Sequence, residues 1–396
     1  MKRNRIPNVF ILAAVFAITF LCFSFIGIDK HNGSSPLFPI YENGKWGYMD
    51  NTGKTVIKPR YDYASYFTEG LAEVKIGEKC GFIDETGKVI VVPQFSGVSA
   101  FKDGMAMVWN HMYDNEYDDM GVAIYGYVDK NGNIVRKPQF IDAREFSEGL
   151  AAVNTGEYGS PKWGYIDRSG KMVIEPQYNE AGKFSEGLAS VKVGDKEGFI
   201  NTKGEMVIAP QFDGAGYFSE GMAIVSIIYD KMKKKGYIDK SGRIVIEPQY
   251  TDAKPFENGR AEVNIGTPFR VNWHYIDKSG TFLYNSQYEV IGDFSEGLAT
   301  VKIRGKWGFI DESGKIVIEP QFSYVSKFCD GMAVFKDNGK CGYIDKNGKV
   351  VIGAKYDVAG GFYNGLAYVR LGEWETGTEM YIDKTGKVIR KWKNNN

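Results

Sequence analysis

The stretch Leu298-Ala-Thr-Val-Lys-Ile-Arg-Gly-Lys-Trp-Gly-Phe-Ile-Asp-Glu-Ser-Gly-Lys-Ile-Val-Ile-Glu-Pro-Gln-Phe322 decides the fold. Leu298–Ile303 and Lys306–Asp311 read as strands, and Arg304-Gly305 between them has the length of a tight hairpin turn. The same slot elsewhere holds Asn43-Gly44, Gly77-Glu78, Gly194-Asp195 and Asn338-Gly339, residues that accept positive φ at low cost. That turn sets Val301 opposite Gly308, Ala299 opposite Ile310, Lys302 opposite Trp307 and Thr300 opposite Phe309. Asp311-Glu-Ser-Gly314 reads as a type I turn closed by a left-handed Gly, its Asp accepting from turn amides. A third strand follows from Lys315 to Glu319, so the unit reads as a three-stranded antiparallel meander.

The unit recurs along the chain. One Gly slot holds Gly47, Gly81, Gly126, Gly164, Gly198, Gly236, Gly308 and Gly342, with His274 and Met380 as substitutes. A second holds Gly70, Gly104, Gly149, Gly187, Gly221, Gly259, Gly297, Gly331 and Gly365. The first-to-second spacing is always 23 residues, while the return leg varies from 11 to 22. A repeat period near 34 residues means a stacked array rather than one large core. The expected fold is all-β: ten three-stranded meanders in an open β-solenoid, with a β-propeller as the alternative. The chain starts on a first strand, Leu37–Tyr41, and ends on a third, Val388–Trp392, so no strand is left over to close a ring. Four-residue additions such as Asn154–Lys162 are expected to lengthen both hairpin strands by two. The addition of eleven after Met107 is odd and calls for a bulge or irregular loop.

Period two sorts the faces. Ala299, Val301, Gly308 and Ile310 share one face, and the Ala slot is Ala in all nine copies, Ala72 to Ala367. A small apolar slot of this kind implies close packing on the next unit. The other face carries Trp307 and Phe309 beside a variable slot that accepts Glu73, Glu262, Thr300 and Tyr368. That slot reads as partly wet.

The recurring letters Lys-Trp-Gly-Tyr-Ile-Asp-x-x-Gly-Lys, Pro-Gln-Tyr and Phe-Ser-Glu-Gly-Leu-Ala resemble the bacterial WG-repeat family over residues 36–392. The resemblance implies an all-β array, often exported, with no established enzymatic activity or cofactor. It brings no catalytic residues. Departures are local: Cys80 in the Trp slot, Ser286 and Ala354 in the Pro slot, and His274 and Met380 in the Gly slot.

Residues 1–35 read as a separate segment and linker before the array of 36–396. Lys2, Arg3 and Arg5 precede an apolar run, Val9–Ile28, long enough to span about 30 Å of hydrocarbon as a helix. The basic flank stays in the cytoplasm and the array goes outside. The expectation is a membrane anchor through residues 9–28; a cleaved signal and a lipoprotein anchor at Cys22 are the alternatives.

Lys plus Arg and Asp plus Glu both number 49, and apart from Lys231–Lys235, which reads as a solvated hairpin tip, no long basic run follows the N-terminus, so nucleic acid is not expected as a partner. The repeated acid slot (Glu69, Asp103, Glu148, Glu186, Glu220, Glu296, Asp330) also takes Asn258 and Asn364. A slot indifferent to Asn reads as a turn device, because a general acid must exchange a proton. No catalytic residue, cofactor site or established metal motif is read. Asp114, Glu116, Asp118 and Asp119 in the insertion are oxygen donors that could meet a cation. Trp46, Trp163, Trp273 and Trp307, with the aromatic residue after each Gly, would form a stripe able to stack on sugars or peptides. The expected function is a non-catalytic, surface-displayed scaffold that binds a protein or peptide. A cell-wall glycan module is the alternative, and an enzyme of unknown type comes third.

Overall fold

The computed structural model describes residues 36–112, 122–157, 159–267, 272–284, 288–373 and 376–393, and their regular structure is all β-strand. The described residues fall in two compact units, one within His31–Val290 and one within Ile291–Asn396. The first carries seven small antiparallel sheets and the second carries three.

The hairpin is as the letters require. Leu298–Ile303 pairs with Lys306–Asp311, with Val301 opposite Gly308 and Thr300 opposite Phe309. The third strand, Ile316–Phe322, runs three residues further than its expected end. The Asp turns also form as expected: Asp311 Oδ1 accepts from the amides of Ser313 and Lys315, both at 3.0 Å.

The open solenoid of three-stranded meanders is overturned. In the second sheet, Tyr63–Ala64 pairs with Leu71–Ile76, which pairs in turn with Lys79–Asp84 and Val89–Phe95. The repeat is therefore a small four-stranded antiparallel sheet, the blade type of the β-propeller that stood as the alternative. The extra strand comes from the connector. It is two residues long in most sheets and leaves no alternation to read there. The units are not all complete either: the first sheet, Phe38–Glu42, Lys45–Met49 and Thr55–Tyr61, has three strands among the described residues.

Successive sheets pack through one aromatic pair. The residue after the Gly meets the Phe of the next Phe-Ser-Glu-Gly: Tyr48 on Phe67 at 4.8 Å, Tyr165 on Phe184 at 4.9 Å, Phe309 on Phe328 at 4.7 Å. Such a pair adds roughly 0.5–1.5 kcal/mol to its area burial. The Ala slot is buried in all nine copies, as its uniformity implied. The variable slot is drier than its letters suggested: Ala152, Glu262, Thr300 and Val334 are all buried. Glu262 is tolerated there because the Tyr275 hydroxyl donates to it at 2.9 Å and Lys254 pairs with it at 2.9 Å.

The rest of the motif ties one sheet to the next. Glu69 lies at φ 53 and Gly70 at φ 82, the positive pair of a type I′ turn. The Glu69 carboxylate accepts from the amides of Asp103 and Gly104 in the next turn, at 3.0 and 3.1 Å. Glu148 takes the Glu186 and Gly187 amides, Glu220 takes Gly259, and Asp330 takes Gly365. A cation following the Asp of the next sheet completes several links: Lys130 on Glu69, Lys240 on Glu186 and Lys278 on Glu220, at 2.9 to 3.2 Å. The preceding Ser often donates to the next Phe carbonyl, as Ser147 does to Phe184 at 2.7 Å.

The first Gly slot has a steric cause. Trp307 faces Phe322 and Phe309 faces Ile318, so three residues, Glu319-Pro320-Gln321, bulge over Gly308. A Cβ on Gly308 would lie 2.3 Å from the Ile318 carbonyl oxygen and 2.7 Å from the Pro320 nitrogen. The bulge is also where a Pro loses nothing, having no amide hydrogen to pair. Where Met380 replaces the Gly, the bulge goes; at His274 the residues that would form it lie outside the described ones. At His274 the third strand shrinks to one bridge, Ile276 to Phe282, among the described residues. At Met380 the partner strand, Val388–Lys393, pairs residue for residue from Thr378 to Tyr381.

The elastic leg behaves in two ways. In the sixth sheet, Met222–Tyr229 and Met232–Asp239 are each two residues longer than the basic hairpin strands, as expected. Asn154–Lys162 instead forms a loop, because Asn154 Oδ1 accepts from the amides of Gly156 and Lys162 and halts the ladder. Met105–Met112 pairs with Val122–Asp129 without a bulge.

Candidate functional site

An open groove of about 580 Å³ lies in the unit within His31–Val290, lined by residues of four consecutive sheets. It opens where the fifth sheet differs from the fourth. In the fourth sheet Trp163 is only 4% exposed, and the Arg144 guanidinium lies 5.2 Å from the centre of its ring. In the fifth, Glu197 stands in the Trp slot and Gly182 in the Arg144 slot. Neither fills the space that the indole and the guanidinium fill next door. The other fifth-sheet letters, Phe184, Gly187, Ala189, Gly198 and Pro210, keep the repeat.

The floor is rigid. The Arg144 and Gly182 carbonyls accept from the hydroxyls of Tyr127 at 2.6 Å and Tyr165 at 2.8 Å. A Cβ on Gly182 would lie 2.5 Å from Ser190 Oγ. Glu197 accepts from the Ala215 amide at 2.7 Å, which ties it to the next sheet. Burial pushes its carboxyl above the ordinary glutamate range, with the Ala215 amide pulling the other way.

Charges in the groove are unequally matched. Lys102 pairs with Glu145 at 3.2 Å and Lys192 with Glu180 at 2.9 Å. Lys183 lies 3.9 Å from the centre of the Tyr217 ring, a cation–π contact. Burial lowers its ammonium pKa, nearby Lys102 lowers it further, and Glu145 opposes both. Among the described residues, neither Arg144 nor Lys183 has a carboxylate within ion-pair distance. Both rest on aromatic faces that cannot neutralise them.

The residues singled out in the sequence do not converge. Trp163 is buried, with Arg144 between it and the groove. Trp46, Trp273 and Trp307 are half-buried in three other sheets, each packed within its own neighbourhood: Trp46 on Tyr41 at 5.2 Å, Trp273 under Lys254 at 5.5 Å and Trp307 under Lys302 at 5.7 Å. The aromatic row after the Gly, from Tyr48 to Tyr381, is buried throughout. The expected stripe is therefore mostly packing between sheets, because most of its rings have the next Phe against them, while Tyr275 meets Tyr284 and Tyr381 meets Trp392. Asp114, Glu116, Asp118 and Asp119 lie outside the described residues, as do residues 9–28. No described helix is long and apolar enough to cross a membrane. His274 packs on Phe282 at 5.5 Å, and burial lowers its pKa.

Sequence reading passed over Arg144, Lys183 and Glu197. A signal existed: aligning the slots sets Glu197 against Trp163 and Gly182 against Arg144. Gly182 shares its slot's letter with Gly216, Gly292 and Gly360 and so draws no notice, and only the structure shows that it and Glu197 line one space.

The chain belongs to the WG containing repeat family, matching it in nine segments from 46–80 to 342–373. A comparison with curated proteins gives no match. Similar solved structures include the β-propeller domain of the Trilobed protease from Pyrococcus furiosus, at 14% identity and TM-score 0.35, covering 66% of this chain and 99% of that one. The tricorn protease is similar at 13% identity and TM-score 0.26, covering 81% of this chain and 38% of that one. The extracellular domain of a putative hybrid two component system from B. thetaiotaomicron follows at 9% identity and TM-score 0.24, covering 91% and 57%. The chain thus spans less than two thirds of the length of the last two.

Proposed function

We propose that this protein is a non-catalytic scaffold, carried outside the cytoplasm on the segment 9–28, which binds a protein or peptide partner. One observation carries the reading. The groove is walled by four sheets, and Glu197 and Gly182 line it where the fourth sheet carries Trp163 and Arg144. Its volume, about 580 Å³, suits a few side chains of a bound segment. Burial of the aromatic row favours a peptide over a wall glycan, since the rings needed for sugar stacking face the next sheet.

The test uses the full-length protein in nonionic detergent, presented to an array of peptides and, separately, to purified wall polymer. Peptide retention that is lost in the charge-reversed variants R144E and K183E supports the reading. Retention on wall polymer alone, or peptide retention indifferent to both variants, refutes it. Carbonate-resistant membrane association of the full chain, absent when residues 9–28 are deleted, tests the anchor.

A further inference from the structure

We propose that the groove takes an acidic peptide segment, one of whose side-chain carboxylates sits between Arg144 and Lys183. This rests on the peptide-binding reading and adds the chemistry of the partner. Four cations reach the groove, and two of them, Lys102 and Lys192, already hold Glu145 and Glu180. The remaining two have only the ring faces of Trp163 and Tyr217 beneath them. A guanidinium seated on an indole keeps its donor edge free for a carboxylate, which it can take in bidentate fashion. The tyrosine ring likewise holds the Lys183 ammonium in place without satisfying its three donors. A carboxylate arriving there would be met by cations already oriented, so little side-chain entropy is lost on binding.

The surrounding geometry restricts the ligand further. Glu145, Glu180 and Glu197 also line the groove, so a continuous polyanion lying along it meets like charge as well as the two free cations. A peptide with separated carboxylates fits this mixture of charges better than a uniformly charged polymer. Ala181, Ala215, Val191 and Met107 supply apolar wall for its other side chains.

The test measures fluorescence anisotropy of the labelled peptide Gly-Ala-Glu-Ala-Ala-Glu-Ala-Gly, with its Glu→Gln counterpart as control and inorganic polyphosphate as rival. The full-length protein in nonionic detergent is used. The acidic peptide is expected to bind at least tenfold tighter than the Gln peptide. R144E and K183E each weaken it at least tenfold, and R144Q and K183Q weaken it less, in that order. K231E, which alters a hairpin tip outside the groove, leaves binding unchanged. Equal binding of the Glu and Gln peptides overturns the inference, as does loss in K231E equal to that in K183E. Tighter binding of polyphosphate than of the acidic peptide also overturns it. If the array yields only neutral or basic peptides that still need Arg144 and Lys183, the inference fails while the peptide-binding reading stands.

Discussion

Replacing Gly308 by Ala tests the central claim about the repeat. The added methyl would lie 2.3 Å from the Ile318 carbonyl oxygen, about 1 Å short of ordinary contact, and 2.7 Å from the Pro320 nitrogen. Both obstacles are backbone, so no rotamer change relieves them. Either the bulge is pushed away or the strand Ile316–Phe322 leaves the sheet. Departure exposes Ile318, now 3% exposed, at roughly 1.5–3 kcal/mol, and loses ladder hydrogen bonds worth about 1 kcal/mol each. Overpacking without departure costs a similar amount, roughly 1–3 kcal/mol or more. The expected loss is therefore about 3 kcal/mol. The comparison is Gly305→Ala, at φ 76 in the hairpin tip with no atom within 4 Å of the new methyl. Its cost is backbone strain alone, about 1 kcal/mol. Denaturant unfolding gives the ranking, and amide exchange across residues 316–322 gives the location. If Gly308→Ala costs no more than Gly305→Ala, the steric account of the repeat's glycine is refuted.

Other outcomes follow from the same contacts. Ala299→Leu overpacks a fully buried slot and should cost roughly 1–3 kcal/mol; Thr300→Leu should also be destabilising, because that slot is buried, and a melt unchanged in Thr300→Leu would contradict its burial. The Asp239 carboxyl is lowered to a pKa of about 2, held down first by the Ser241 hydroxyl, with burial opposing it and the Arg243 and Ser241 amides and the Arg243 side chain adding to the fall. Its depressed value means that its contribution is complete above the ordinary Asp value of about 3.9 and is lost as pH falls toward about 2. In the fifth sheet Asn201 makes the same two amide bonds, both at 3.0 Å, and does not titrate. Amide exchange at Ser241 and Arg243 should therefore accelerate over that range, corrected for intrinsic rates, while Lys203 and Glu205 stay protected; parallel behaviour would remove the carboxylate as the cause. Glu148 receives two amides, but Thr202 stands where Lys240 and Lys278 stand in other sheets. Thr202→Lys should add up to about 1 kcal/mol at low salt and less at high salt, measured by denaturant unfolding.

By itself the sequence determined what is local. The two-residue turn, the Asp turn and period two fixed the hairpin register to the residue, because those signals act over a few bonds. The nine Ala copies foretold burial, since a slot that never enlarges has no room. The tertiary structure decided everything that depends on a neighbouring sheet. The connector strand is two residues long in most sheets and is visible only through its partner, and with it went the open solenoid. The glycine looked like one member of a repeated pair of letters, yet its cause lies ten residues onward in a bulge folded back across it. The Glu of Phe-Ser-Glu-Gly read correctly as a turn residue, but its acceptor role depends on amides one repeat away. The groove was the least legible. Its free cations, Arg144 and Lys183, come from two different sheets. No local signal joins them, and only the packing of neighbouring sheets brings them to one groove.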